Sequence, residues 1–323
     1  MNARTVGIGA GHAWDQLELA FYARGGLLLS LCGAGPVVHP RHIVAIHDAA
    51  VFAIAQNFSR PYRAFYWALT PLLARTTRAM VTVSEFSRNE LAQYFPTTAR
   101  KLRVVWNGAE HIHAERADAA VLSTNGLAPS RYVLALGSLS RNKNVGLVTR
   151  AFAAMDDLDL RLAVAGAGSS RVFSGSAVQH GPRIGALGYV SDAAIRALYE
   201  NALCFVFPSF YEGFGIPPLE AMQCGCPVIV SDIPALRETC GDAALYCDPH
   251  DPRSLEAQIR ALAERPELRD RLRELGLARA RRFTWDRSAE MLLDVVREVR
   301  DGGVERADGG TYLPQSGLGK GTQ

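Results

Sequence analysis

The sequence predicts an α/β protein with two domains, each built on a sheet of parallel strands. Short apolar runs alternate with amphipathic segments along most of the chain, and several of these runs end at a glycine or a polar residue. Strand–helix alternation of this kind gives parallel sheets with helices on both faces. A chain of 323 residues, 48% hydrophobic and 21% charged, is long enough and apolar enough for two globular domains.

The second half carries the clearer pattern. Apolar runs predict strands at residues 132–137, 160–166, 185–190, 202–207, 227–231 and 245–247. Helices are predicted at 145–155, from Ser191 and at 219–224. Asp251 and Pro252 form an N-cap and first-turn proline for another helix, and residues 255–282 continue in a helical, charge-rich pattern. Thr284 is the predicted N-cap of a last helix at 286–299.

The first hundred residues show the same alternation in a shorter form. Strands are predicted at 43–46, 80–83 and 102–105, with a long amphipathic helix at 60–78. Ser87 and Glu90 have the spacing of a capping box that opens a helix. Residues 25–38 are apolar but too short for a membrane span, so a buried segment is expected. The histidines at 39, 42, 111 and 113 are interpreted as loop or surface residues.

These elements divide the chain into four parts. Residues 1–115 are predicted to form the first domain and residues 116–284 the second, with a polar linker at 111–130. Residues 285–300 are predicted to form a helix that packs back toward the first domain. Residues 301–323 are rich in glycine and polar residues, which predicts a disordered tail.

Composition excludes several classes of protein. The net charge of +3, without a dense Lys/Arg run, argues against a nucleic-acid partner. Six scattered cysteines without a C-x-x-C pair predict reduced core thiols and no metal site. The N-terminus lacks the pattern of a signal peptide, so a cytoplasmic protein is expected. Residues 1–115 carry 11 Lys/Arg against 7 Asp/Glu, which allows peripheral contact with the anionic inner face of the cytoplasmic membrane.

The glycine-rich segment at residues 207–220 is the strongest candidate for a site. A buried strand ends there, a loop with Gly213 and Gly215 follows, and a helix begins near Pro218. Ligands of open parallel sheets bind beyond the carboxyl ends of the strands, and a helix N-terminus favours a phosphate. Glu212 and Glu220 bracket the loop and could hold sugar and ribose hydroxyls, although a structural loop with solvated acids explains the pattern equally well.

Around this loop the sequence resembles the retaining, family-4-type glycosyltransferases of the GT-B fold. Glu212 and Glu220 match the family's E-x7-E pair, and further segments follow in the family's order over most of residues 40–300. They are residues 46–48 (IHD), 83–87 (VSEFS), 107–108 (NG), 137–144 (GSLSRNKN), 225–232 (GCPVIVSD) and 283–285 (FTW). The resemblance implies two Rossmann-like domains with parallel sheets facing across a cleft. Fewer residues precede the IHD segment than in the family, so the first domain is expected to be shortened.

The resemblance also implies roles for individual residues. Glu212, Lys143 and His47 would be catalytic: Glu212 contacts the transferred sugar, Lys143 neutralises the diphosphate, and His47 lies across the cleft near the reacting centre or the acceptor. Glu220 would bind the ribose hydroxyls of the donor. The remaining implied donor-binding residues are Gly137, Ser138, Arg141, Tyr189, Val190, Phe214, Gly215, Ile216 and Leu219. Relatives differ at the position of Ser138, and Arg141 is displaced by one residue from the family's pattern.

The reaction implied is transfer of a hexose from a nucleotide-diphosphate sugar to a saccharide or lipid-linked saccharide, with retention and without a metal or other cofactor. Similarity to mannosyltransferases of bacterial surface-polysaccharide synthesis favours GDP-mannose over UDP-sugars. Acceptor attack on the same face needs no protein nucleophile, and a covalent role for Glu212 is the alternative. Three other interpretations stay open: a nucleotide-sugar epimerase, a phosphorylase, and a non-catalytic or truncated nucleotide-sugar-binding protein.

Overall fold

The computed structural model describes residues 6–9, 11–137, 140–166 and 183–302. Its strands form two separate sheets, and all the strand pairs in both are parallel. This arrangement confirms the predicted fold class. Among the described residues, none of the helices combines the length and the apolar character needed to cross a membrane.

The first sheet has the strand order β1-β2-β3-β4. Its strands are β1 (Leu28–Ser30), β2 (His42–Ala45), β3 (Ala79–Thr82) and β4 (Leu102–Val104). The helices of this part are α1 (Gly11–Ala13), α2 (Leu19–Tyr22), α3 (Ala50–Ala53), α4 (Arg60–Thr76) and α5 (Glu85–Tyr94), with a π-helical turn at Trp14–Glu18 and 3-10 turns at Ala55–Asn57 and Pro96–Thr98. The segment at 25–38, predicted to be buried, instead supplies the edge strand β1, and most of it is partly or fully exposed.

The second sheet has the order β10-β9-β8-β5-β6-β7. Its strands are β5 (Tyr132–Leu136), β6 (Arg161–Ala165), β7 (Ile184–Gly188), β8 (Cys204–Phe207), β9 (Val228–Ser231) and β10 (Ala244–Cys247). The helices are α6 (Ala120–Thr124), α7 (Val145–Ala153), α8 (Asp192–Asn201), α9 (Ile216–Gln223), α10 (Pro234–Cys240), α11 (Pro252–Glu264), α12 (Pro266–Ala280) and α13 (Trp285–Arg300), with 3-10 turns at Glu110–His113, Arg141–Lys143 and Gly241–Ala243. Each of the six strands predicted here is present.

Helix α13 returns to the first sheet. Val295 and Val299 pack against Ile43 and Ala45 of β2. Thr284 caps the helix by accepting the backbone N–H of Arg287, as the sequence predicts. The linker differs from its prediction, since a 3-10 turn at Glu110–His113 and helix α6 interrupt it. Of the tail predicted to be disordered, residues 303–323 lie outside the described residues.

The N-cap of α5 is not the predicted one. The sequence pattern places a capping box at Ser87 and Glu90, but the helix begins at Glu85 and Ser84 accepts the N–H of Ser87. Ser87 is therefore a first-turn residue, and the S-x-x-E match at this position is wrong as a helix start. Ser84 takes the cap because it lies two residues after the end of β3 and its backbone is extended.

His42 is buried in strand β2, which corrects its interpretation as a loop or surface residue, whereas His39 lies in a loop as predicted but is also buried. The ring of His42 hydrogen-bonds the hydroxyl of Ser30 on β1 over 2.9 Å. Burial, reinforced by the neighbouring His39, lowers the pKa of His42 from 6.5 to about 4. His42 therefore stays neutral in the folded protein at pH values where the same side chain is protonated in the unfolded chain.

We expect acid to destabilise the fold through His42. Stability is unaffected above pH 6.5 and falls as the pH drops from 6.5 toward 4, because the unfolded chain binds the extra proton. A shift of this size corresponds to about 3 kcal/mol of unfolding free energy by pH 4. Urea titrations of wild type and His42→Gln at pH 7 and 4 measure it, with the exposed His113→Gln as control. An acid-induced loss of equal size in wild type and His42→Gln would contradict this assignment.

Candidate active site

The glycine-rich loop lies between the end of β8 at Phe207 and the start of α9 at Ile216. Gly215 immediately precedes α9 with a φ of +107°. A Cβ at this position would lie 2.6 Å from Cδ2 of Leu236, so both conformation and space require glycine. In the part of the chain that the structure describes, the N–H groups of Phe214, Gly215 and Ile216 donate no backbone hydrogen bond. The loop therefore presents unsatisfied donors at a helix N-terminus, where an anion is favoured.

Lys143 and Glu212 form an ion pair beside this loop. The Nζ of Lys143 lies 2.7 Å from Oε1 of Glu212, and these side chains are only 28% and 13% exposed. Lys143 also lies over the ring of Phe207, 4.7 Å from its centroid. The structure thus brings together two residues that are 69 positions apart in the sequence. A cation that contacts the loop carrying these free backbone donors is a combination that suits a diphosphate.

Two asparagines that the sequence analysis did not assign hold the lysine turn against the loop. Asn142 donates to the carbonyl of Tyr211 over 2.5 Å, and its own carbonyl accepts the N–H of Phe210. Asn144, at a φ of +51°, donates to the carbonyl of Pro208 over 3.1 Å. Because these amides hydrogen-bond to the loop backbone, the position of Lys143 relative to Glu212 is fixed.

Glu220 projects from α9 and is held from two sides. Its Oε1 lies 2.8 Å from Nε2 of His111, and its Oε2 lies 3.5 Å from the hydroxyl of Tyr199. Burial raises the pKa of the Glu220 carboxyl group, and the nearby His111 and the Tyr199 hydroxyl oppose the rise. The side chain remains 16% exposed, so a ligand hydroxyl can reach it. His111 lies at the surface, as the sequence predicts, and in addition holds this carboxylate.

The first sheet meets the loop at Asp48 and Gly213. A Cβ on Gly213 would lie 2.5 Å from Cβ of Asp48, so the two backbones are in close contact. The Gly213 carbonyl accepts hydrogen bonds from the hydroxyls of Ser84 and Ser87, over 2.5 and 3.0 Å. Burial raises the pKa of Asp48, while the N–H of Ala50 and the nearby positive charge oppose the rise.

Glu238 of α10 strengthens this contact between the two halves. Its carboxylate oxygens accept the N–H groups of Glu85 and Phe86, over 2.8 and 2.9 Å. Both N–H groups belong to the first turn of α5, where a negative charge is stabilised by the helix dipole. Burial raises the pKa of the Glu238 carboxyl group, and the two N–H donors oppose the rise. The second domain thus supplies the negative charge at the start of a helix in the first.

His47 borders a cavity on the other side of the junction. Its Nε2 donates to the carbonyl of Leu31 over 2.8 Å. The cavity has a volume of about 320 Å³, within the range of ligand pockets. Its walls are mostly apolar and come from the carboxyl ends of the first sheet, from the segment after β4 and from α13, where Trp285 and Leu292 contribute.

The other predicted donor-binding residues differ in their exposure and in their hydrogen bonds. Phe214 and Leu219 are 4% and 0% exposed, so their side chains belong to the core and not to the ligand surface. Tyr189 is 82% exposed, and Val190 packs against the second sheet's core. Gly137 donates its N–H to the carbonyl of Ala165 over 2.6 Å, which occupies that donor.

Arg141 and Ser138 complete the set of implied donor-binding residues. Arg141 is exposed at the start of the turn that carries Lys143. Ser138 lies outside the described residues. In the ranges that the structure describes, no group of three or more His, Cys, Asp or Glu side chains has the arrangement of a metal site.

Two parallel-sheet domains that meet at a glycine-rich loop, with paired carboxylates beyond the carboxyl ends of the strands, define a GT-B glycosyltransferase. Two family models match the chain. The model of glycosyl transferases group 1 matches residues 125–279, and the model of glycosyltransferase family 4 matches residues 21–111. O-antigen chain mannosyltransferase B of Escherichia coli is 30% identical over 262 residues, which cover 76% of this chain and 67% of that relative. The chain belongs to the group 1, family 4 glycosyltransferases.

Solved structures show the same fold. WaaG, a glycosyltransferase involved in lipopolysaccharide biosynthesis, has a TM-score of 0.67 at 16% identity, over 88% of this chain and 80% of that one. HepE of Anabaena in complex with UDP-glucose has a TM-score of 0.66 at 17% identity, over 81% of this chain and 72% of that one. Both similarities extend across the two domains, so the GT-B architecture covers most of the described chain.

Proposed function

We propose that this protein transfers mannose from GDP-mannose to a saccharide or lipid-linked saccharide, with retention of the anomeric configuration and without a metal ion. The observation that carries the proposal is the pairing of Lys143 with Glu212 at 2.7 Å, beside the free N–H groups before α9. A cation and backbone donors suit a diphosphate, and a carboxylate next to them suits sugar hydroxyls. This combination is the one that a nucleotide-diphosphate sugar requires.

Each part of the donor has a partner in this arrangement. Glu220 accepts hydrogen bonds from the ribose hydroxyls, because its carboxylate is partly exposed and held in place by His111. Lys143 and the N–H groups of Gly215 and Ile216 bind the diphosphate. Glu212 orients the transferred sugar, and the exposed Tyr189 is available to the base of the nucleotide.

In the proposed reaction the bond between the anomeric carbon and the diphosphate oxygen breaks. The acceptor hydroxyl oxygen forms the new bond on the same face, and its proton passes to the departing diphosphate. Negative charge on the leaving group increases as the bond breaks, so Lys143 and the backbone donors stabilise the transition state more than the bound donor. With this charge carried by protein groups, the reaction requires no divalent ion.

The choice of sugar and acceptor rests on the relative from Escherichia coli, whose name specifies mannose and an O-antigen chain. The cavity beside His47 supports an acceptor that approaches from the first domain, because the residue after His47, Asp48, contacts Gly213 of the loop. Its largely apolar walls are compatible with the ring faces of a saccharide or with part of a lipid carrier. The cytoplasmic face of a membrane would present both.

Thermal melts with GDP, UDP and ADP test the donor site. At a nucleotide concentration one hundred times its Kd, the native state gains about 2.7 kcal/mol, which raises the melting temperature by several degrees. We expect GDP to stabilise the wild type most and to lose its effect on Glu220→Ala. Glu274→Ala, which removes an exposed carboxylate from α12, is the matched control.

The nucleotides separate the parts of the proposal. Stabilisation by UDP alone would contradict GDP-mannose but keep the donor site. No stabilisation of the wild type by any of the three would contradict the proposed function as a whole. Nucleotide binding without transfer of radiolabelled mannose to lipid-linked saccharides would indicate a binding protein in place of a transferase.

A further inference from the structure

The carboxylate of Glu220 is connected by hydrogen bonds to the start of the last helix. His111 contacts Glu220 through Nε2 at 2.8 Å, and the other ring nitrogen of His111, Nδ1, lies 3.1 Å from Nε1 of Trp285. Trp285 is the first residue of α13. Three residues from three separate segments thus form one continuous chain of contacts, and its last member is the carboxylate assigned to the ribose.

The hydrogens in this chain can be assigned from the chemistry of the groups. An indole Nε1–H only donates, so Nδ1 of His111 must accept and carries no proton. The proton of the neutral ring is then on Nε2, which donates to Oε1 of Glu220. Trp285 therefore selects the tautomer of His111 that can hold the carboxylate. A second ring nitrogen held in this way fixes both the proton position and the ring plane.

The backbone around the two aromatic residues is fixed as well. Glu110, next to His111, accepts the N–H of Trp285 over 2.5 Å and that of Ala109 over 3.1 Å. The His111 and Trp285 rings lie with their centroids 6.0 Å apart. Gly108 leaves no room for a side chain, since its Cβ would lie 2.3 Å from the N of Trp285. These contacts therefore hold residues 108–111 and the start of α13 in a fixed position relative to each other.

We propose that His111 is a positioning residue for donor binding. In the tautomer that Trp285 selects, His111 donates to the Glu220 carboxylate and orients it. This inference rests on the proposed function, because it takes Glu220 as the group that binds the ribose. His111 contacts one carboxylate oxygen of Glu220 and the Tyr199 hydroxyl approaches the other. The two contacts fix the plane of the carboxylate. Without His111 the Glu220 carboxylate can rotate. Ribose binding must then restrict that rotation, which lowers the affinity for the donor.

Donor kinetics and nucleotide binding test the role of His111. We expect His111→Ala to raise the donor KM and the Kd for GDP about tenfold while kcat stays within about twofold, because a hydrogen bond to a charged group is lost in binding but not in the chemical step. His111→Gln should recover most of the affinity, since its amide can both donate to Glu220 and accept from Trp285. His113→Gln changes a neighbouring exposed histidine and serves as the control.

Trp285→Phe removes the indole N–H and keeps an aromatic ring. We expect it to raise the Kd for GDP about threefold on its own and to add nothing in the double variant with His111→Ala, because both changes act through the same carboxylate. Additive effects would contradict the role of Trp285. A His111→Ala protein with wild-type affinity, or a His111→Gln protein no better than His111→Ala, would overturn the proposal. A wild type that binds no nucleotide would overturn the proposed function, and this inference with it.

Discussion

Replacement of Lys143 by methionine is expected to lower kcat for mannosyl transfer by about 10² to 10³-fold, the usual effect of removing one group that stabilises charge in a transition state. Methionine keeps much of the side-chain length and the contact with Phe207, but it removes the charge 2.7 Å from Glu212. In the proposed reaction the ammonium group stabilises the departing diphosphate, so the chemical step should lose more than donor binding does. Rates of transfer from GDP-mannose at saturating donor measure this effect.

Arg141 provides the matched comparison for Lys143. It lies in the same 3-10 turn, but its side chain is exposed, whereas Lys143 is 28% exposed and faces the loop. We therefore expect Arg141→Met to reduce kcat by less than about tenfold, the effect of an outer phosphate contact that solvent screens. A larger loss in Arg141→Met than in Lys143→Met would reverse the assignment and place the diphosphate nearer the arginine.

Gly213→Ala is expected to lower kcat/KM by about 10²-fold, because catalysis is sensitive to displacements of about 1 Å. The added methyl group would lie 2.5 Å from Cβ of Asp48, which cannot rotate away as the end of a long side chain can. The loop must then move from the first domain and weaken the hydrogen bonds from Ser84 and Ser87. Steady-state kinetics and a urea titration of the same variant separate the activity loss from any loss of stability.

Gly146→Ala is the control for this glycine. Gly146 lies within α7, and a Cβ there would meet only the end of the Arg150 side chain at 3.3 Å. Gly146 is the second residue of the helix, where alanine is still the better helix former, so this variant should keep full activity and at least its wild-type stability. Equal activity of Gly213→Ala and Gly146→Ala would show that the contact with Asp48 is not needed for transfer.

The sequence was sufficient for features that depend on neighbouring residues. The apolar runs identified all the strands of the second sheet, and the caps at Thr284 and Asp251 are where the local pattern predicts them. The resemblance to the family selected Glu212 and Lys143, which the structure brings into contact. These predictions succeed because strand burial and helix capping are determined within a few residues along the chain.

The sequence was insufficient where a residue's partner is distant in the chain. Glu238 accepts two N–H groups from a helix start about 150 positions earlier, and no local pattern in either segment marks that contact. The contact of His111 with Glu220 is not predicted either, since an isolated histidine in the sequence gives no indication of its partner. Ser87 matches a capping box by spacing, but the end of β3 moves the helix start to Glu85. The Glu238 and His111 contacts depend on how distant segments pack, and the start of α5 depends on where β3 ends.

The position of Trp285 has a thermodynamic consequence. Its ring forms part of the wall of the cavity beside His47, and its N–H reaches His111 and through it Glu220. An acceptor that changes the position of this indole would alter the affinity for the nucleotide. Linkage then requires the nucleotide to alter the affinity for the acceptor by the same factor. Two binding isotherms, one for each substrate in the presence of the other, would measure this equality. Loss of the coupling in a Trp285 variant would show that this tryptophan couples the two binding sites.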